Sequence, residues 1–309
     1  MKAQERKVVL VTRRTRLEEL VVQHHTLAQA RFYLEHLGAD FGDYVQENAA
    51  YAQSLAAAVQ TLQAWGRYQI VERAYLPNFV FAPEDIVVAL GQDGLVANTL
   101  KYLNGQPLIG LNPEPTRWDG VLLPFAPCEL AGVLPDVAQE RRGAREITMA
   151  EARLDGGQTL RAVNDLFIGA RTHTSALYEI ALGERRESQS SSGVIVSTGL
   201  GSTAWIKSVV TGSLGIAQAL QAGRRVEFPA QPWDSAQLIF AVREPFPSRH
   251  SRAELVYGAV SERQPLLLRS QMSGNGVIFS DGIEADYLRF DAGMQARIGL
   301  AATRGRLVV

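Results

Sequence analysis

Several groups of residues in this sequence are of types and spacings that do chemistry. In Gly91-Gln92-Asp93-Gly94 a carboxylate sits between an unbroken apolar run, Ile86 to Leu90, and a stretch with Leu95, Leu100 and Leu103 near helical spacing. A strand–turn–helix presents backbone N–H groups and a helix N-terminus at the carboxyl end of a sheet, where anions bind. A carboxylate there handles a metal or a proton, or it simply N-caps the helix. Arg13, Arg14 and Arg16 follow another apolar run, Val8 to Val11. Each arginine alone reads as a solvated loop residue; clustered at a sheet's carboxyl edge, they are candidates for phosphate contact. Asn164-Asp165 interrupts an apolar strand. An amide that donates and accepts, beside a carboxylate that accepts, can hold ribose hydroxyls, although Asn-Asp also serves as a strand-end turn. Ser191 to Trp205 runs from a strand into a Gly/Ser/Thr turn. Thr198, Gly201, Ser202, Thr203, Ala204 and Trp205 offer N–H groups, hydroxyls and an aromatic plane suited to a nucleotide, or a capped helix with Trp205 in the core. Asp281-Gly282 reads as a hairpin turn with a structural role.

The elements around these groups set their positions. Val8–Val11, Gln69–Glu72, Ile86–Leu90 and Pro107–Leu111 are predicted strands, and helical periodicity fills 17–37 and 44–65, ended by Gly38 and Gly66. In the first of these, Leu17, Leu20, Val21, Leu27, Phe32, Leu34 and Leu37 form the expected core face. The short helix after Asp93 is expected to be amphipathic, with Asn98 and Lys101 polar. Strands alternating with helices predict a parallel, Rossmann-like sheet. From about residue 145 the pattern changes to strands at 147–155, 158–169, 175–182, 194–197, 237–242, 265–269, 277–280 and 295–301, with one helix starting near Ser202. The expected architecture is therefore an α/β domain over 1–140 followed by an all-β, β-sandwich-like domain over 141–309. Pro127 to Arg145, with its prolines and charge run, is the expected boundary.

Composition narrows the functional classes. The 309 residues carry a net charge of −1, with 46% hydrophobic and 20% charged, so nothing favours nucleic acid or an anionic membrane. Cys128 is the single cysteine, which excludes an internal disulfide and a cysteine-based metal site and fits a reducing compartment. His24 and His25 are adjacent, point in different directions and do not suggest a metal site. No apolar stretch reaches membrane-spanning length and no signal segment is evident, so a cytoplasmic protein is expected.

In combination, GQDGL at 91–95, ND at 164–165 and STGLGSTAW at 197–205 resemble the NAD kinase family, whose signatures are GGDGT, an Asn-Glu pair and a TPTGSTAY-like turn. AVNDLFIG, QSSSGVIVSTGLGSTAW and AVREPFPSR, with the basic run after the first strand, are most similar to the mitochondrial-type branch. The resemblance spans roughly residues 5–300. It implies transfer of the terminal phosphate of ATP, with Mg²⁺ or another divalent metal, to the adenosine-ribose 2′-hydroxyl of NAD(H). It further implies that Asp93 accepts the proton and that Gly91 and Gly94 shape the phosphate turn. Asn164 and Asp165 would hold ribose, and Gly201 to Trp205 would line the dinucleotide pocket. A homodimer or higher homo-oligomer is the expectation for the family.

The sequence departs from the pattern at Gln92, where the family has glycine, at Leu95, where it has threonine, and at Asp165, where it has glutamate. A side chain at Gln92 disfavours positive φ, and Leu95 removes a hydroxyl that could bind phosphate. Two other readings follow: a dinucleotide-binding protein of the same fold with weak catalysis, and a kinase of another hydroxyl substrate, since lipid kinases of related fold also use a GGDGT turn.

Overall fold

The computed structural model describes residues 6–221 and 226–309, and the chain divides into two compact units, residues up to 145 together with 306–309, and residues 146–305. In the first unit β1 (Val8–Thr12) leads into α1 (Arg16–His24), α2 (Leu27–His36) and α3 (Phe41–Trp65). Then come β2 (Tyr68–Glu72), β3 (Ile86–Leu90), α4 (Asp93–Leu100), β4 (Pro107–Leu111), α5 (Leu130–Ala138) and β5 (Ala144–Ile147). The second unit holds β6 (Ala150–Leu154), β7 (Thr159–Ala162), β8 (Asp165–Ala170), β9 (Ala176–Leu182), β10 (Arg185–Ser191) and β11 (Val194–Ser197). It continues with α6 (Trp205–Ala219), β12 (Leu238–Val242), β13 (Tyr257–Val260), β14 (Leu266–Ser270), β15 (Gly276–Ser280), β16 (Ile283–Arg289) and β17 (Gln295–Leu300). The chain then re-enters the first unit as β18 (Gly305–Val308).

The first unit is built on a six-stranded sheet of order β2-β1-β3-β4-β18-β5, in which β1 pairs in parallel with β2 and β3, and β4 with β3 and β18. β1, β3 and β4 are buried along their whole length, as strands covered on both faces must be. On one face Val8, Leu10, Ile86, Val88 and Ile109 pack against Tyr51, Ala58 and Leu62 of α3 and Leu130, Val133 and Leu134 of α5. The expected boundary segment is therefore an integral helix of this unit. Its two prolines do not break it out of the fold: Pro127 opens a 3₁₀ turn, where its missing N–H has no partner to lose.

The predicted helix over 17–37 is two helices. His25 takes a left-handed φ of 66°, and Thr26 accepts the Gln29 N–H as the cap of α2. The break rotates the second half out of register, so Leu27, Phe32 and Leu37, expected on the core face, are exposed. The expected amphipathic helix after Asp93 is instead buried all round, Leu95 to Leu100 and Lys101 included.

The second unit has two six-stranded sheets, β10-β9-β14-β17-β6-β7 and β13-β12-β11-β8-β15-β16, in which neighbouring strands pair antiparallel. Inward residues of both, such as Ala152, Ile180 and Leu268 from one and Ile168, Val196 and Ile278 from the other, form a single apolar core. β10 escaped the sequence reading because its inward face is polar: Tyr178 donates to Gln189 at 3.0 Å, and the carboxylate of Glu187 accepts the N–H groups of Glu254 and Leu255. β5, β13, β16 and β18 were also unread, and the predicted strand over 158–169 is interrupted at Val163-Asn164 to give β7 and β8.

Candidate functional site

In the first unit, Gly91-Gln92-Asp93-Gly94 joins β3 to α4 at the carboxyl end of the parallel sheet. Gln92 is the N-cap at φ −121°, an ordinary extended conformation, and makes no side-chain cap bond. The turn therefore has no need of a second glycine. Gly91 lies against Leu95 and Arg13, whereas Gly94 is exposed with open space around its α-carbon. Asp93 is the first residue of the helix and does not cap it. Its Oδ1 accepts the Leu122 N–H at 2.8 Å and its Oδ2 the Val121 N–H at 3.3 Å. What brings those donors in is Gly110 of β4: any Cβ there would fall 2.2 Å from the Leu122 carbonyl oxygen, so only glycine lets the loop cross the strand at this depth. Leu95 is buried, spent on packing rather than on a ligand.

The arginines divide. The phenol of Tyr51 ties the ends of two strands together, accepting the Arg13 backbone N–H at 3.0 Å and donating to the Leu90 carbonyl at 3.1 Å. This sets the Arg13 side chain beside Gly91, where it bonds Glu47 at 3.0 Å and leaves Nε buried without a partner. Arg14 pairs with Glu72. Arg16 pairs with Glu47 and Asp43 and stacks on Tyr44. Burial works to raise the Glu47 carboxyl, but Arg16 and Arg13 hold it below its ordinary value. Of the three predicted phosphate ligands, Arg13 alone reaches the turn; Arg16 is committed to α3 and Arg14 to the end of β2.

In the second unit, Asn164, Asp165, Thr198 and Gly201 converge at the interruption between β7 and β8. The Thr198 N–H donates to the Asn164 carbonyl at 2.9 Å, and its hydroxyl donates to the Val163 carbonyl at 2.5 Å while accepting the Gly201 N–H at 3.1 Å. The Ser202 hydroxyl is likewise used internally, donating to Gly199 O at 2.7 Å. Thr203 and Ala204 are exposed, and the half-buried Trp205 ring lies 5.8 Å from Phe167 at an interplanar angle of 7°. The Asn164 amide side chain has no hydrogen-bond partner among the described residues. The knot is fastened by a residue the sequence reading took as a plain turn: the Asp281 carboxylate accepts the N–H groups of Val163, Asn164 and Asp165. An Asp-Gly hairpin signal points to the turn, but its bonds reach across 116 residues or more and leave no local trace.

Asp165 opens β8 opposite Ser197 and is buried, with Oδ1 unpartnered. Burial, with a smaller push from Asp281, raises its carboxyl to about 7, partly offset by the Ser197 hydroxyl and the Trp205 backbone N–H. It can therefore accept or donate a hydrogen bond near neutrality.

The three sheets make a mixed α/β fold. Over 98% of its length the chain is similar to yeast NADH kinase complexed with NADH, with a TM-score of 0.56, 14% identity and 83% of that chain covered. It is also similar over 98% of its length to an NAD kinase from Archaeoglobus fulgidus in complex with ATP, with a TM-score of 0.55, 15% identity and 93% of that chain covered. No family model and no curated protein sequence matches the chain. The likeness is to the fold as a whole and does not single out the mitochondrial-type branch. No helix among the described residues is long and apolar enough to cross a membrane.

Proposed function

We propose that this protein is an ATP-dependent kinase of NAD(H) that phosphorylates the adenosine-ribose 2′-hydroxyl. The observation that carries the reading is Asp93. It stands in the strand–turn–helix of a fold like those of an NADH kinase and an ATP-bound NAD kinase, and its carboxylate is positioned by loop N–H groups rather than used as a helix cap. A ribose hydroxyl is a weak nucleophile, and a carboxylate that takes its proton as the phosphorus–oxygen bond forms is worth about 10²- to 10⁴-fold. Within the first unit, Gly91 and the unpartnered Nε of Arg13 suit contact with phosphate. Within the second unit, Asn164, with an uncommitted amide, and Asp165, with an unpartnered oxygen, suit ribose hydroxyls. Trp205 offers a ring for the dinucleotide.

Mg²⁺ enters this reading with the nucleotide. Mg²⁺ that arrives with a nucleotide is bound chiefly by the phosphates and one or two protein carboxylates. Asp93 is the residue that would meet it, and the ion would supply charge neutralisation on the transferring phosphoryl group.

A weakly catalytic dinucleotide-binding protein is the second reading, favoured by one observation: Arg14 and Arg16 are committed to carboxylates and Leu95 to the core. Incubation with ATP, Mg²⁺ and NAD or NADH separates the two. NADP(H) formation supports the kinase, binding of NAD(H) without turnover supports the second reading, and the absence of both rejects them together.

A further inference from the structure

Asp43, Glu47, Tyr51 and Ser54 recur along α3 at separations of four, four and three residues, which puts them on one face of the helix. Each bonds outside the helix. Tyr51 ties the ends of β1 and β3 together, and the Ser54 hydroxyl donates to the Pro113 carbonyl at 3.0 Å. Asp43 and Glu47 carry a ladder of charges. Glu47 Oε1 takes Arg13 at 3.0 Å and its Oε2 takes the Nε of Arg16. Asp43 Oδ2 takes Arg16 at 2.9 Å and its Oδ1 takes Arg117, which also meets Glu114 at 3.6 Å. Charges alternate in sign along the whole series. Arg16, unavailable to a phosphate, is the rung that joins its two halves.

A single exposed ion pair contributes little, but this network is shielded: the side chains of Glu47, Arg13 and Arg117 are 3%, 11% and 22% exposed. Arg16 and Arg117 hold the Asp43 carboxyl below its ordinary value, so it is charged at neutral pH.

The two ends of the ladder reach the two sides of the 91–94 turn. At one end Arg13 stands beside Gly91. At the other, Arg117 lies in the loop between β4 and α5 whose Val121 and Leu122 N–H groups hold Asp93. That loop moves as a piece, because its own bonds cross it. The Asn112 amide donates to the Trp118 carbonyl at 2.9 Å and accepts the Glu114 N–H at 3.0 Å, and the Leu123 N–H donates to the Gly120 carbonyl at 2.9 Å. α3 holds it at two points, Ser54 on Pro113 and Asp43 on Arg117.

We propose that Asp43 and Arg117 are positioning residues for Asp93. The ion pair fixes the loop, the loop N–H groups fix the carboxylate, and α3 sets both the proton acceptor and the arginine at Gly91 from one support. The proposal rests on the reading of Asp93 as the base. Positioning is worth testing by rate because a displacement of about 1 Å can cost about 10²-fold.

The test follows amide hydrogen exchange and NADP(H) formation in the full chain. In Arg117→Gln the Leu122 amide should exchange at least about tenfold faster. Its kcat should fall at least about tenfold, with KM for NAD within about twofold of wild type. Arg117→Lys keeps a point charge for Asp43 and should recover most of both losses. Asp43→Asn cuts the same link from the α3 side, with the loop's own bonds intact, and should reproduce both. Arg31→Gln, which removes an exposed pair with Glu35, should move neither. Unchanged Leu122 exchange in both Arg117→Gln and Asp43→Asn overturns the proposal. So does faster exchange throughout the first unit, which would mean lost stability rather than lost position, or faster Leu122 exchange with an unchanged kcat. If the wild-type chain makes no NADP(H), the kinase reading fails, whereas the tie from α3 to Asp93 is still decided by the Leu122 amide.

Discussion

At the scale of single residues, two carboxylates do opposite things. Asp93 is open to solvent on one side and fastened by two N–H donors on the other. Asp93→Asn keeps the shape and the stronger bond, from Leu122, but cannot take a proton. If Asp93 is the base, the variant should bind NAD near wild-type affinity, unfold within about 1 kcal/mol of wild type and lose at least about 10² in kcat. NADP production at near wild-type rate would remove it from the catalytic assignment. Asp165 is buried, and its carboxyl is raised to about 7. An acid whose folded value lies above its unfolded one stabilises the fold in its protonated form. That contribution is fully present below about pH 4 and is lost as pH rises towards 7. Each pH unit in that window costs about 1.4 kcal/mol. Asp165→Asn should therefore flatten the stability profile between pH 4 and 7 and unfold later than wild type at pH 8 in chemical denaturation. A parallel profile would mean that the carboxyl ionises without penalty.

At the scale of elements, the turns decide what the strands present. Gln92 is compatible with the β3–α4 turn because its φ is −121°. Gln92→Gly should leave stability equal or slightly lower, through added freedom of the unfolded chain, by roughly 0.5–1 kcal/mol. A gain in both stability and turnover would mean that the turn is strained. The β15–β16 hairpin works differently. Asp281 and Gly282 have φ of 53° and 71°, and the Asp281 carboxylate fastens the backbone at 163–165. Asp281→Ala loses the bonds and puts alanine in a left-handed conformation, so a loss of roughly 2–4 kcal/mol is expected in thermal unfolding. NAD binding should weaken with it, because Asn164 and Asp165 are the residues released.

At the scale of the whole molecule, the first sheet is completed by the last strand of the chain. β18 lies between β4 and β5, with Leu307 and Val308 each 1% exposed. Burial of those two side chains alone is worth about 3–6 kcal/mol, against a typical net stability of about 5–15. Deleting residues 305–309 should strip most of the cooperative unfolding from the first unit, seen as a lost or much lowered transition in calorimetry. An unchanged transition would show that β5 and β4 close without it.

The sequence by itself determined the elements whose cause is local. β1, β3 and β4 were legible because strands covered on both faces need continuous apolar runs, and Gly66 and the Asp281-Gly282 turn were legible because only a few residues tolerate positive φ. The stretches 91–95, 164–165 and 197–205 were also visible as candidate chemistry. Only the tertiary structure decided what those residues are free to do. Thr198 and Ser202 look like ligand hydroxyls in the sequence and are spent on neighbouring carbonyls. Arg14 and Arg16 look like phosphate ligands and are paired with carboxylates 58 and 27 to 31 residues away. Asp281 looks like a turn residue and holds three N–H groups of a distant strand break. The physical reason is the same in each case: backbone conformation is set within a few residues, whereas hydrogen bonding, ion pairing and burial depend on which atoms the fold brings within about 3 Å.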